Sequence, residues 1–160
     1  MAYINRLLTC DYYVMALLEK LVYAVKLPFI GRAATVLIRV LGVNIPPSVE
    51  IGEGLVLPHG AVGLVVHERA RIGARAKLYQ GVTLGRSDTH LEASLIKSGG
   101  SIEIGDDVII GANSTVLFRS GETLTIGDNA VIGANSVVLR SVPPGEIWAG
   151  NPARRVSTRK

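Results

Sequence analysis

Three histidines are the groups in this 160-residue chain best suited to moving a proton: His59 in Leu57-Pro58-His59, His67 after Val66, and His90 in a polar stretch with Arg86, Asp88 and Glu92. Imidazole is the side chain whose ordinary pKa lies near neutrality, so it can take a proton from a hydroxyl and hand it on. No two of the three have paired metal-ligand spacing, and no zinc site is expected. A second group is basic: Arg154, Arg155, Arg159 and Lys160 are dense enough to meet phosphate charge. The formal net charge is +4, yet the other basic residues are scattered with no aromatic interleaving, which argues against a nucleic-acid reader. The single cysteine, Cys10, excludes an internal disulfide framework and reads as a small apolar helix residue, in keeping with a reducing, cytoplasmic setting.

What must position these groups is a repeat. Ile45, Ile51 and Leu57 fall six apart, as do Val66, Ile72, Leu78 and Leu84, then Ile104, Ile110 and Val116, then Ile126, Ile132 and Val138. Gly follows the aliphatic residue in Ile51-Gly52, Ile72-Gly73, Ile104-Gly105, Ile110-Gly111, Ile126-Gly127 and Ile132-Gly133, with Ala76, Val108, Ser114, Ala130 and Ser136 four places on. A six-residue aliphatic period predicts an all-β solenoid, a parallel β-helix in which about three hexapeptides close one coil and strands stack ~4.8 Å apart. The aliphatic residues point inward, and the corner beside each has little room for a side chain. Asp106, Asn113, Asp128, Asn129 and Asn135 are predicted where the corner backbone takes angles costly for other residues. A hydrophobic share of 48% with few aromatics suits such a core. His59, two positions past inward Leu57, should project from the prism beside a corner. His67, where a corner glycine is usual, reads as a corner residue rather than a second base.

The spacing divides the chain into an N-terminal helical segment at 1–43, a β-helix at 44–147 with a protruding loop at about 85–103, and a tail at 148–160. Ile4, Leu7, Leu8, Leu18, Leu21, Val22 and Val25 fall at helical spacing, Pro28 and Gly31 break the run, and 33–41 is apolar again. Two short helices are predicted. Neither reaches the ~20 apolar residues of a bilayer span, and no cleavage site follows. Their simple role is to cap the solenoid, and peripheral membrane contact is the alternative.

The stretch IGEGLVLPHGAVGLVVHERARIGARAKLYQGVTLGR resembles the serine acetyltransferases and the related sugar and polysaccharide O-acetyltransferases. The tail IGANSVVLRSVPPGEIWAGNPARRV is similar to their last coil and acetyl-CoA-binding end. The resemblance covers about 45–156 and implies a left-handed coil. It also implies that His59 is the catalytic base for transfer from acetyl-CoA to a hydroxyl. Asn44 stands where the serine enzymes carry the aspartate that orients the base, Pro58 replaces their other acid, and their DRHP element is missing. A neutral carboxamide accepts a hydrogen bond but does not stabilise an imidazolium as a carboxylate does. These departures point to a sugar or glycan hydroxyl as acceptor, with serine as the alternative. A non-catalytic assembly β-helix is a further alternative.

On the acceptor side, His90, Arg86 and Asp88 are the residues that the resemblance brings to the substrate, plain solvent exposure being the other reading of that loop. For acetyl-CoA it points to the small residues Gly85, Ala112, Ala130 and Ala149, with Arg154 and Arg155 at the phosphates. It implies no metal. A homotrimer is expected, because Val65, Val82, Val108, Val131 and Val137 are apolar positions predicted on the exposed prism faces and a three-fold axis covers them. The C-terminal Ser-Thr-Arg-Lys lacks the isoleucine with which serine acetyltransferases dock onto cysteine synthase, so no such complex is expected.

Overall fold

The computed structural model describes residues 15–92, 94 and 96–159; Cys10, Ile4, Leu7 and Leu8 lie outside them. Residues 15–24 form helix α1, and Gly31–Val40 forms α2. Eleven short strands follow: β1 (Glu50–Ile51), β2 (Val65–Val66), β3 (Ala70–Ile72), β4 (Lys77–Leu78), β5 (Thr83–Arg86), β6 (Ser101–Ile104), β7 (Ile109–Ile110), β8 (Thr115–Phe118), β9 (Thr123–Ile126), β10 (Val131–Ile132) and β11 (Val137–Val138). A closing hairpin pairs β12 (Glu146–Gly150) with β13 (Ala153–Thr158).

These strands stack into the three faces of a prism. One face holds β2, β5, β8 and β11, with Asn44 bridged to Val65 at its start. The second holds β1, β3, β6 and β9, and the third β4, β7, β10 and β12, with Val56 bridged to Lys77. Pairing along every face is parallel, the antiparallel β12–β13 hairpin excepted. The aliphatic residues of the hexapeptide period are all buried save Ile51, which packs at the margin, and Ala76, Val108, Ser114, Ala130 and Ser136 are fully buried with them. At ~1.5–3 kcal/mol per large aliphatic side chain, this column is the main stabilising term.

Two details of the sequence reading change. Val82 and Val108 are fully buried, not surface residues, because they complete the interior column at the corners. Asn113, Asn129 and Asn135 do adopt left-handed backbone, but Asp106 and Asp128 do not. Their carboxylates tie coil to coil instead: Asp106 Oδ1 accepts the Ala74 N–H at 2.8 Å, and Asp128 Oδ1 accepts the Asp106 N–H at 2.9 Å. Left-handed Asp107 takes a bidentate contact from Arg75, at 2.9 and 2.6 Å.

Both ends are closed. Leu18, Val22, Ala34 and Ile38 of the helices, with Val25 just after α1, cover the first coil. That coil has no strand before it to satisfy its backbone, and α1 supplies the partners. The Tyr23 hydroxyl donates to the Gly52 carbonyl at 2.6 Å and accepts the Leu55 N–H at 3.1 Å, while Glu19 Oε1 accepts the Leu57 N–H at 3.0 Å. At the other end, the residues read as a tail fold back as β13, and Trp148 is buried with its Nε1 donating to Glu146 at 2.7 Å.

Candidate active site

The corner between the third and first faces is filled by residues 79–82, 111–114 and 133–136 in the later coils, but by 57–64 in the first. The extra residues form a short 3-10 turn, Pro58–Ala61, whose pyrrolidine presets the first residue. His59, Gly60 and Ala61 then run left-handed in succession, at φ 54°, 70° and 44°. For a histidine this conformation is uncommon, and such strain gathers at functional sites. Its effect is to throw an exposed imidazole out from the edge of the prism. Tyr79, one coil on, flanks the ring with centroids 6.3 Å apart at 51°. Neither Tyr79 nor Glu19, which holds the strand end just before the turn, was picked out from the sequence. The break in the hexapeptide period between Leu57 and Val66 was the available signal.

The orienting contact expected from Asn44 is not formed. Asn44 lies exposed on the first face, and no hydrogen bond joins its side chain to His59. His67 is the corner residue that the sequence suggested: its Nδ1 accepts the Arg69 N–H at 3.1 Å and its ring meets Phe118 edge-on at 5.0 Å. Burial lowers its pKa, with Arg86 and Arg69 adding to the effect and Glu68 opposing it.

Residues 87–92, 94 and 96–100 leave the coil between β5 and β6. His90 is exposed there, at a cavity of about 440 Å³ lined also by Ser87, Asp88, Leu91, Leu117, Arg119 and Leu139. Asp88 is not free to receive a substrate. It is buried, accepts the Ser120 N–H at 2.9 Å and the Ser120 hydroxyl at 3.1 Å, and so anchors the loop to the next coil, while Arg86 Nε lies 3.3 Å away as an ion pair and makes no hydrogen bond. Burial by itself raises the Asp88 pKa, but the Ser120 hydrogen bonds and Arg86 outweigh it and hold the carboxyl below its ordinary value. A depressed carboxylate pKa contributes stability above the ordinary pKa that is lost as pH falls through the folded value. Asp88→Ala is therefore expected to raise the rate of tryptic cleavage at Lys97 about tenfold at neutral pH, the loss of charged hydrogen bonds. An unchanged rate would show that the loop is held elsewhere.

The small residues assigned to acetyl-CoA separate into groups. Ala112 and Ala149 are half-buried along the same edge as His59, and β13 places exposed Arg154 directly opposite Ala149. From the His59 coil to the Ala149 coil the edge runs roughly 19 Å at ~4.8 Å per coil. Arg155 is drawn to Glu146 at 2.9 Å. Gly85 lies on the first face, where an added Cβ would stand 3.3 Å from Leu117. Ala130 departs from the expectation: its methyl is inside the core, its N–H bonds to Gly127 and its carbonyl to Ile109, so its smallness serves packing. Among the described residues no group of side chains is arranged to hold a metal ion.

The family "Hexapeptide repeat of succinyl-transferase" matches residues 101–140 and 123–145. A curated serine acetyltransferase from Helicobacter pylori is 40% identical over 102 residues, which is 56% of this chain and 59% of that protein. The solved serine acetyltransferase of Neisseria gonorrhoeae in complex with serine superposes with a TM-score of 0.63 at 38% identity, over 78% of this chain and 47% of its own. The Brucella abortus enzyme in complex with coenzyme A gives 0.66 at 32% identity, over 81% and 49%. The chain spans about half the length of the curated relatives it matches. The chain folds as a left-handed parallel β-helix of hexapeptide repeats, the fold of the solved serine acetyltransferases on which it superposes. The sugar or glycan acceptor expected from Asn44, Pro58 and the missing DRHP element is corrected by these relatives, which are named serine acetyltransferases in sequence and structure alike.

Proposed function

We propose that this chain carries the catalytic β-helix of a serine O-acetyltransferase, with acetyl-CoA as donor and His59 as general base. The observation that carries the reading is the exposed, left-handed His59 turn, inserted at one corner of a β-helix shared with serine acetyltransferases. The imidazole takes the proton from the serine hydroxyl as that oxygen attacks the thioester carbonyl. The imidazolium then returns it to the departing thiolate, so the ring ends as it began. Ala112, Ala149 and Arg154 line the edge along which the donor lies, small side chains exposing backbone and the guanidinium meeting phosphate.

The same reading makes the working unit a homotrimer. Val62, Val65 and Leu139 are exposed around the first face, and a three-fold axis covers such a surface while setting the His59 edge in a groove between copies. Thiol release from acetyl-CoA with serine as acceptor tests the activity, and sedimentation tests the assembly. Serine-dependent release by a species of three chains is the expected result. Release independent of serine would overturn the acceptor, and a fully active monomer would overturn the shared groove.

A further inference from the structure

We propose that the tip of the α1–α2 hairpin and the outer face of α2 are a docking surface for an anionic lipid bilayer. Helix α2 is apolar on two sides. Gly31, Ala34 and Ile38 face the solenoid, while Ile30, Ala33, Val36, Leu37, Val40 and Leu41 look outward, with Val36 62% and Val40 77% exposed. A helix that is apolar nearly all round needs a second apolar partner. The tip extends this surface: Leu27 and Ile30 are about half exposed, and Phe29 is completely so, at 101%.

Phe29 also stands at φ 69°, a left-handed conformation that is an outlier for a bulky residue. Among the described residues nothing offsets that cost, since the ring is bare. An apolar side chain held outward under strain is what an apolar medium outside the protein would favour. The charges select the medium. From Lys20 to Val49 the sequence has four basic residues, Lys20, Lys26, Arg32 and Arg39, and no acidic one. Lys26 and Arg32 flank the tip, and Arg32 and Arg39 form one stripe of α2, beside the outward apolar face. Two copies related by a two-fold axis would bring these like charges together with no carboxylate between them. Anionic headgroups at the rim of an apolar layer satisfy both sets of side chains at once. No described helix is long and apolar enough to cross a membrane, so the contact is peripheral.

Co-sedimentation of the full chain with phosphatidylcholine vesicles, with and without phosphatidylglycerol, tests this. Binding is expected with phosphatidylglycerol and should weaken as salt is raised. Phe29→Asn should lower the partition coefficient about tenfold while leaving the thermal midpoint unchanged or higher, because asparagine accepts left-handed backbone and the ring makes no internal contact. Replacing Lys26, Arg32 and Arg39 together by Gln should remove the preference for phosphatidylglycerol. Absence of binding to either vesicle overturns the proposal, as does binding indifferent to Phe29→Asn. A Phe29→Asn change that lowers the molecular mass in sedimentation, without any vesicle binding in the parent chain, overturns it in favour of a second copy on this face.

Discussion

His59→Asn is expected to lower kcat by ~10²–10⁴-fold, the range for loss of a general base, while acetyl-CoA affinity and the thermal midpoint stay close to those of the parent. Asparagine is the informative replacement. His59 sits at φ 54°, a conformation that Asn adopts readily and Ala does not, so His59→Ala adds a backbone cost of about 1 kcal/mol to the chemical one. Equal activity loss in the two variants, with a lower midpoint only for Ala, separates the proton transfer from the turn that presents it. Asn44→Ala should lower kcat far less, because no hydrogen bond couples Asn44 to the ring. Steady-state kinetics with serine checks each. If His59→Asn keeps more than about a tenth of kcat, the base lies elsewhere and direct transfer through this turn is wrong.

The second large effect falls on the fold. Gly73→Ala should destabilise the chain by about 3 kcal/mol, an overpacking cost at its upper end because the obstacle is backbone. A Cβ on Gly73 would lie 2.5 Å from the Gly105 carbonyl carbon and 2.6 Å from Asp106 Oδ1. Neither atom can yield: Gly73 donates to the Ile104 carbonyl at 2.7 Å, and Asp106 Oδ1 holds the Ala74 N–H. The glycines at 52, 105 and 127 meet the next coil in the same way, so the clash cannot be relieved by shifting one coil. Gly99→Ala is the contrasting case, with nothing within 4 Å and only a left-handed backbone to strain, at about 1 kcal/mol. Denaturant midpoints for the two variants check the ranking, and a Gly73→Ala protein as stable as Gly99→Ala would refute close coil contact as the reason for the Ile-Gly pairs.

The solenoid, its inward column and the glycine corners are legible in the residue order alone, because the fold repeats one local contact and a period of six is visible along the chain. Ile72, Ile104 and Ile126 are six-residue markers in sequence and neighbours in one sheet. His59 was legible as an exposed corner residue, and the chain's likeness to acetyltransferases singled it out as a candidate base, but the left-handed insertion that carries it outward was not legible. The relatives' names overturn the glycan acceptor read from Asn44, Pro58 and the absent DRHP element, because the coils that carry those departures are shared with serine acetyltransferases. Contacts between coils, which no period encodes, emerge only on folding. Asp88 became the anchor of a loop rather than a substrate ligand because Ser120 lies beneath it. Ala130 left the donor edge for the core, and Val82 and Val108 turned inward, because a corner has one interior position and small or β-branched side chains fill it. Tyr79 reached His59, and Glu19 reached Leu57, only because coiling and helix packing bring distant residues within side-chain reach; the physical reason is that a repeat fixes the rise and the period, while an insertion such as Pro58–Ala61 takes its direction from the neighbours it meets.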